Sequence, residues 1–247
     1  MSQQISIVLP KSWQELTDRQ LYYIYNLFAD NLSSPQIKTF CLMKWGKLNV
    51  VCRYGDGYML RQGKTKFIVS AELLADAIHA LDWIDELPNT PVRINEIGRA
   101  KALDASFVGV PLEKYLYCDN LYQGYLETQN HALLSQMAEI LYGKEEIKIN
   151  QAEKIAIFYW WAALKLLLSR SFPTFLQPMS GDATNLLEED TGTKLRNAMN
   201  AQIRALTKGD ITKEREVLSM DTWRAMTELE AQAKEHEEIN RKYGNKS

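Results

Sequence analysis

Residues 155–168, IAIFYWWAALKLLL, constrain the fold of this chain more than any other stretch. The run is fourteen residues long and has one charged side chain, Lys165. A helix that is apolar on every side cannot lie on a protein surface, so we predict that it forms the centre of a helical core. Its helical length of about 21 Å is shorter than the roughly 30 Å of a bilayer interior, so we predict no membrane association.

The composition is typical of a globular protein of the cytoplasm. Hydrophobic residues make up 46% and charged residues 24% of the chain, and both values are ordinary. Cys41, Cys52 and Cys118 are odd in number and far apart, which suits neither a disulfide framework nor a zinc site. The N-terminus lacks the basic and apolar regions of a secretion signal. We therefore predict reduced cysteines, no cofactor and a cytoplasmic location.

Capping residues and glycine stops predict helices along most of the chain. Between the second and third predicted helices, short β-prone runs flank glycine turns at 55–57 and 62–64. They predict a small antiparallel β meander at about residues 49–69. The predicted fold class is therefore α+β and predominantly α-helical, with a helical core around a central apolar helix at about residues 151–170. The other predicted helices cover residues 18–28, 36–45, 71–86, 111–129, 131–142, 194–206 and 222–243.

The content of charged residues rises after residue 178. It is 24 of the last 69 residues, against 36 of the first 178. We therefore predict a mainly helical domain at residues 1–178 and a charged helical extension at residues 179–247. Trp223 and Met226 are predicted to dock the first half of the last helix, whereas the polar half from Ala233 onward is predicted to be solvated.

The chain shows no recognisable motif for catalysis or metal binding. His79, His131 and His236 lack a second ligand at a spacing that would make a metal site persuasive. The carboxylate clusters at 145–146 and 188–190 occur in turn-like stretches, where burial could not raise a pKa for acid–base work. We predict no catalytic residue and no metal ligand, and interpret the chain as non-enzymatic. An active site built from scattered residues stays open.

Residues 119–126, DNLYQGYL, are the best candidate for a binding surface. They mix tyrosine with asparagine and glutamine on a predicted helix. Gly124 costs that helix about 1 kcal/mol relative to alanine, which indicates the close approach of another backbone. The approaching element is either another helix of the same chain or a partner protein. The residues predicted to bind a protein partner are Asn120, Tyr122, Gln123 and Tyr125.

Nucleic-acid binding is the alternative function. The chain has 29 basic and 31 acidic residues and a net charge of −2, whereas proteins that neutralise phosphates usually show a basic excess. Five basic residues lie near one another in the chain, as in compact helix–turn–helix proteins: Arg196, Arg204, Lys208, Lys213 and Arg215. Acidic residues balance them: Glu188, Glu189, Asp190, Glu214 and Glu216. We therefore expect a protein partner and keep a nucleic-acid-binding protein of a mobile element as the alternative.

Several passages resemble one group of proteins: LEKYLYCDNLYQGYL at 112–126, ILYG at 140–143, the Trp-Trp passage at 160–175, and residues 199–234. They are similar to proteins encoded in tail-morphogenesis regions of tailed phages and prophages of gut bacteria. The resemblance covers most of the chain from residue 66 onward and carries no functional motif. It implies a non-enzymatic role in virion assembly, for example as a tail assembly chaperone. The partner would then be a phage tail component and the location the host cytoplasm.

Overall fold

The computed structural model describes residues 7–176 and 191–243, with backbone alone for residues 191–198 and 243. Within these residues the chain forms nine α-helices and two small antiparallel sheets. The predicted α+β, predominantly helical fold class is confirmed. None of the described helices is both long and apolar enough to cross a membrane.

The chain divides into two compact units. Unit 1 comprises Met1–Pro88 and Gln151–Ala156, and unit 2 comprises Asn89–Asn150 and Ile157–Ser247. The predicted boundary near residue 178 falls outside the described residues. The described residues beyond it group with Asn89–Asn150 in unit 2, and the predicted division at residue 178 stays a prediction.

Unit 1 is built from three helices and a three-stranded sheet. The predicted capping box is present at its first helix, where the backbone N–H of Gln20 donates to Thr17 Oγ1 and that of Thr17 donates to Gln20 Oε1. The elements in chain order are α1 (Asp18–Ala29), α2 (Ser34–Trp45), β1 (Leu48–Tyr54), β2 (Gly57–Gln62), β3 (Thr65–Ser70) and α3 (Ala71–His79).

The three strands of unit 1 form the predicted meander, in the order β1-β2-β3 with antiparallel pairing. The turn residues Gly55 and Gly63 have φ values of 58° and 59°, a left-handed conformation that favours glycine. Leu60 of β2 is buried. Because side chains alternate between the faces of a sheet, Met59 and Arg61 lie on the opposite face from Leu60.

The helix predicted at residues 71–86 is too long. It ends at His79, and a 3-10 turn follows at Asp82–Asp85. The Trp13 indole Nε1 donates to the carbonyls of Trp83, at 3.1 Å, and Glu86, at 2.8 Å. These bonds join the turn that follows α3 to a side chain about seventy residues away in sequence. A local apolar stripe could not reveal that partner.

The described residues of unit 2 form helices and one two-stranded hairpin. Helix α6 contributes its first six residues to unit 1 and the rest to unit 2. The elements in chain order are β4 (Glu96–Ile97), β5 (Ala100–Lys101), α4 (Leu112–Thr128), α5 (His131–Tyr142), α6 (Gln151–Ser171), α7 (Thr191–Thr207), α8 (Glu214–Ser219) and α9 (Thr222–Tyr243).

Helix α6 is the predicted central helix, and its burial is confirmed. Positions 152–169 contain no exposed residue. Trp160 and Trp161 are 1% and 0% exposed. Their indole N–H groups donate to the Ala105 carbonyl at 2.7 Å and to Asp119 Oδ1 at 3.2 Å. Both tryptophans therefore bury their rings without leaving a donor unpaired.

The last helix, α9, is half docked and half solvated, as predicted. Met226 and Leu229 are buried, and the Trp223 indole N–H donates to the Ser106 carbonyl at 2.6 Å. Residues 234–242 are all exposed. Burial of the first three turns therefore anchors a helix whose remainder is held by its own backbone hydrogen bonds.

Replacing Leu164 with alanine tests the core role of α6. Leu164 is fully buried, so we expect Leu164→Ala to lower the free energy of unfolding by about 2–5 kcal/mol. The matched control Leu126→Ala, at an exposed position of α4 in the same unit, should cost less than about 1 kcal/mol. Urea denaturation followed by circular dichroism measures both. Equal losses for the two variants would contradict the assignment of α6 as the core.

Candidate functional site

The two tyrosines predicted to bind a partner pack inside unit 2. Tyr122 is 7% exposed and stacks on Phe158 of α6, with ring centroids 5.5 Å apart. Tyr125 meets the same ring edge-on at 5.8 Å and is partly exposed. Tyr122 is therefore a core residue, and its ring is not available to a partner in this conformation.

The polar residues of the same α4 segment also contact neighbouring helices. Asn120 Nδ2 lies 3.4 Å from Met199 Sδ of α7. A Cβ atom at Gly124 would lie 3.2 Å from Leu133 Cδ1 of α5, so the neighbour within the described residues is a side chain of the same chain and not the backbone that the sequence predicted. Gln123 is partly exposed. Partner binding by Asn120, Gln123 and Tyr125 stays a prediction.

Asp119 is the polar centre of the α4–α6 contact. Its Oδ1 atom accepts hydrogen bonds from Trp161 Nε1, at 3.2 Å, and from Lys165 Nζ, at 2.7 Å. Lys165, the one charged residue of the apolar run, is thereby paired. Because both donors belong to α6, this carboxylate ties two helices together, and its contacts account for its position without a catalytic role.

The buried thiols are poor nucleophiles. Burial raises the pKa of Cys41 to about 12. Burial also raises the pKa of Cys118, and nearby Asp119 adds to the effect. Both thiols stay protonated at neutral pH, whereas the thiolate is the reactive form. Across residues 7–176 and 191–243, no three His, Cys, Asp or Glu side chains converge as a metal-ligand group.

Glu230 of α9 is a buried carboxylate with three donors. It accepts from the backbone N–H groups of Thr174, at 3.0 Å, and Phe175, at 2.8 Å, and pairs with Lys234 at 3.1 Å. Burial raises the pKa of Glu230, but these donors outweigh burial and hold the pKa below its ordinary value. Through these bonds the carboxylate holds the segment after α6 against α9.

A second ion cluster lies in unit 1, where buried Lys38 pairs with Asp82 and Asp85, each at 2.5 Å. Burial lowers the pKa of Lys38, but its hydrogen bonds with the two carboxylates outweigh burial and raise it overall. The bond from Lys38 lowers the pKa of Asp82. Burial raises the pKa of Asp85, and its bonds with Lys38 and Ser34 lower it overall. The cluster fastens the 3-10 turn to α2.

Large apolar side chains are concentrated on the exterior of the meander. Five of them, between 43% and 60% exposed, lie within 24 residues, and their apolar surface is open to solvent. The adjacent valines of LNVVCRY are both exposed, and the strand register shifts between Val50 and Cys52. We call these five residues the meander surface: Val50, Val51, Tyr54, Ile68 and Leu73.

Two of the five basic residues considered above for nucleic-acid binding lie beside opposite charges. Lys213 pairs with Asp210 at 3.7 Å, and Arg215 lies between exposed Glu214 and Glu216 in sequence. Arg204 and Lys208 are exposed and form no salt bridge with a described residue. The side chain of Arg196 and the acidic stretch at 188–190 lie outside the described residues. Nucleic-acid binding by this cluster stays a prediction.

No protein-family model matches the chain, and no curated protein or solved structure is significantly similar to it. The resemblance to phage tail-region proteins therefore stays a prediction. Conclusions about function rest on the contacts, burial and charge of the described residues.

The Lys38 cluster predicts a specific pH dependence of stability. The folded pKa values lie below the ordinary value for the aspartates and above it for the lysine. The cluster should therefore stabilise unit 1 fully between about pH 4 and about pH 10.4 and lose that effect outside this window.

We expect Lys38→Met to lower the urea midpoint clearly at pH 7 and much less at pH 2.5. Lys64→Met, at an exposed position of the same unit, is the control. An equal effect of Lys38→Met at both pH values would refute this assignment.

Removing the Glu230 carboxylate should destabilise unit 2. Glu230→Ala leaves the N–H groups of Thr174 and Phe175 without their acceptor, so we expect a loss of about 1–3 kcal/mol in the free energy of unfolding. Glu238→Ala, at an exposed position of the same helix, should change stability by less than about 0.5 kcal/mol. Thermal and urea unfolding measure the difference. Identical stabilities of the two variants would show that Glu230 does not fasten this segment.

Proposed function

We propose that this protein is a non-enzymatic assembly factor of a tailed phage or prophage, acting in the host cytoplasm. It binds a phage tail component through protein–protein contacts, as a tail assembly chaperone would. The observation that carries the proposal is the exposed apolar meander surface. The resemblance of residues 112–126 and 199–234 to tail-region proteins supports the choice of partner.

The physical basis of the proposal is apolar burial at the meander surface. Exposed apolar patches on soluble proteins commonly mark interaction sites. Tyr54 pairs with Gly57 and Ile68 pairs with Met59. Because side chains alternate between faces, Tyr54 and Ile68 both lie on the sheet face opposite Leu60. Leu73 follows on α3, a helix with no buried residue. An apolar segment of a tail protein placed here would gain about 25 cal/mol for each Å² of apolar surface removed from water.

The titratable groups support a non-enzymatic role. Glu230 and Lys38 are held in contacts that account for their positions, and the thiols of Cys41 and Cys118 are protonated at neutral pH. Catalytic groups need a pKa near the working pH and access to a substrate. The shifted groups described above move away from neutrality, which favours a binding function.

Co-purification with tail proteins tests this proposal. The chain, carrying an affinity tag, is co-expressed with the tail-region proteins encoded beside its own gene, and retained proteins are quantified. We expect one structural protein to be retained at micromolar concentration. The variant Tyr54→Ser/Ile68→Ser/Leu73→Ser should reduce its retention at least about tenfold, because it removes three exposed apolar contacts.

A control variant with the same residue types distinguishes the meander surface from exposed apolar residues of unit 2. Tyr117→Ser/Ile211→Ser/Leu126→Ser changes exposed residues of unit 2 and should leave retention unchanged. Loss of retention in this variant alone would place the site on unit 2 and contradict the meander surface. Retention of no structural protein by the unmodified chain would contradict the assembly role itself.

A further inference from the structure

Positive charge is strongly segregated within unit 1. Residues 19–66 contain eight basic and two acidic side chains, so this stretch carries +6 in a chain whose net charge is −2. The rest of the chain is correspondingly acidic. The net charge of the whole chain therefore does not reveal this basic region. Whether a surface attracts an anion depends on the charges close to that surface.

Seven of these eight cations are exposed and form no salt bridge within the described part of the chain. Lys38, by contrast, is buried in its ion cluster. The charge of the seven is therefore available to a ligand. The seven are Arg19, Lys44, Lys47, Arg53, Arg61, Lys64 and Lys66.

Two adjoining cavities of unit 1 collect three of these cations beside aromatic rings. An open cavity of about 690 Å³ is lined by Arg19, Gln20, Tyr23, Lys44, Trp45 and Lys47. A second, of about 310 Å³, shares Tyr23, Lys44 and Lys47 and extends to Phe40 and Asn49. Among the described residues, no carboxylate lines either cavity. The cavities therefore combine unopposed positive charge with aromatic surface.

The meander continues this positive surface. Asn49 pairs with Arg61, and Arg61 pairs with Lys66, in one row across the sheet face opposite Leu60. Asn49 also lines the second cavity. Like charges directly opposite each other destabilise a sheet, so this pair is not explained by stability. We call the two cavities and this row the basic groove.

We propose that the basic groove binds single-stranded nucleic acid. The cations contact the phosphates, and bases stack on the half-exposed ring of Phe40 and on Tyr23, over which the Lys44 ammonium lies at 5.5 Å. Positive grooves with interleaved aromatic rings are the general means of binding single strands without sequence preference. This function is separate from the proposed protein–protein role, because it uses different residues and a different ligand, although Tyr54 and Ile68 of the meander surface lie on the same sheet face as Arg61 and Lys66.

The aromatic rings favour nucleic acid over an acidic protein. Carboxylate side chains would satisfy the cations but offer no π face to Phe40 or Tyr23. A nucleotide supplies both a phosphate and a base. The cavity volumes of about 310 and 690 Å³ also lie within the range of about 300–1,000 Å³ that is typical of small-molecule sites.

Fluorescence anisotropy with a fluorescein-labelled oligothymidine of 20 nucleotides tests the proposal on the full chain. We compare the groove variant Lys44→Gln/Lys47→Gln/Arg61→Gln with a control of equal net charge, Arg99→Gln/Lys101→Gln/Lys144→Gln, which changes exposed residues of unit 2. The groove variant should bind at least about tenfold more weakly at about 50 mM salt. Its slope of log affinity against log salt should be shallower by about 2, because each phosphate contact on a single strand contributes about 0.7. The control should match the unmodified chain.

Two further arms distinguish nucleic acid from other anions. Phe40→Ala should weaken binding about fivefold or more, as expected for the loss of one stacked base, and polyglutamate at equal charge concentration should compete poorly. No anisotropy change with the unmodified chain, or equal losses in the groove and control variants, would overturn the proposal. Efficient competition by polyglutamate with no effect of Phe40→Ala would overturn it in favour of an acidic protein partner. Circular dichroism spectra confirm that each variant is folded.

Discussion

The burial of two adjacent tryptophans in α6 is the constraint on which unit 2 depends. Trp160 and Trp161 bring large apolar rings into the core together with indole donors that must be bonded there. The Ala105 carbonyl satisfies one donor and Asp119 the other. These two bonds specify the position of the loop before α4 and the face that α4 turns toward α6. The core is therefore specified by polar contacts as well as by apolar packing.

Local sequence patterns predicted the helices and strands that depend on a few neighbouring residues. The apolar run at 155–168 and the glycine turns of the meander each contain the reason for their structure within a few residues. The contacts of the 3-10 turn after α3 could not be predicted, because the Trp13 indole that bonds the carbonyls of Trp83 and Glu86 lies about seventy residues away in sequence. The grouping of Gln151–Ala156 with Met1–Pro88 likewise has no local signal.

The candidate site was harder to predict than the fold, for two physical reasons. A segment that mixes tyrosine with polar residues suits a core edge as well as a binding surface, and Tyr122 belongs to the core. Net charge averages over the chain, so it concealed the basic stretch at 19–66. The meander surface and the basic groove both belong to unit 1. The sequence pattern, by contrast, indicated binding residues on α4 and among the charged residues near the C-terminus.

Amide hydrogen exchange of the free chain shows whether α6 is a sealed core and the binding surfaces lie elsewhere. We expect amides of residues 157–168 to exchange more slowly than those of any other peptide, through global opening alone. Amides of the exposed strand β1 should exchange much faster. Fast exchange along 157–168 would mean that water reaches the tryptophan helix in the native state, and would contradict the account.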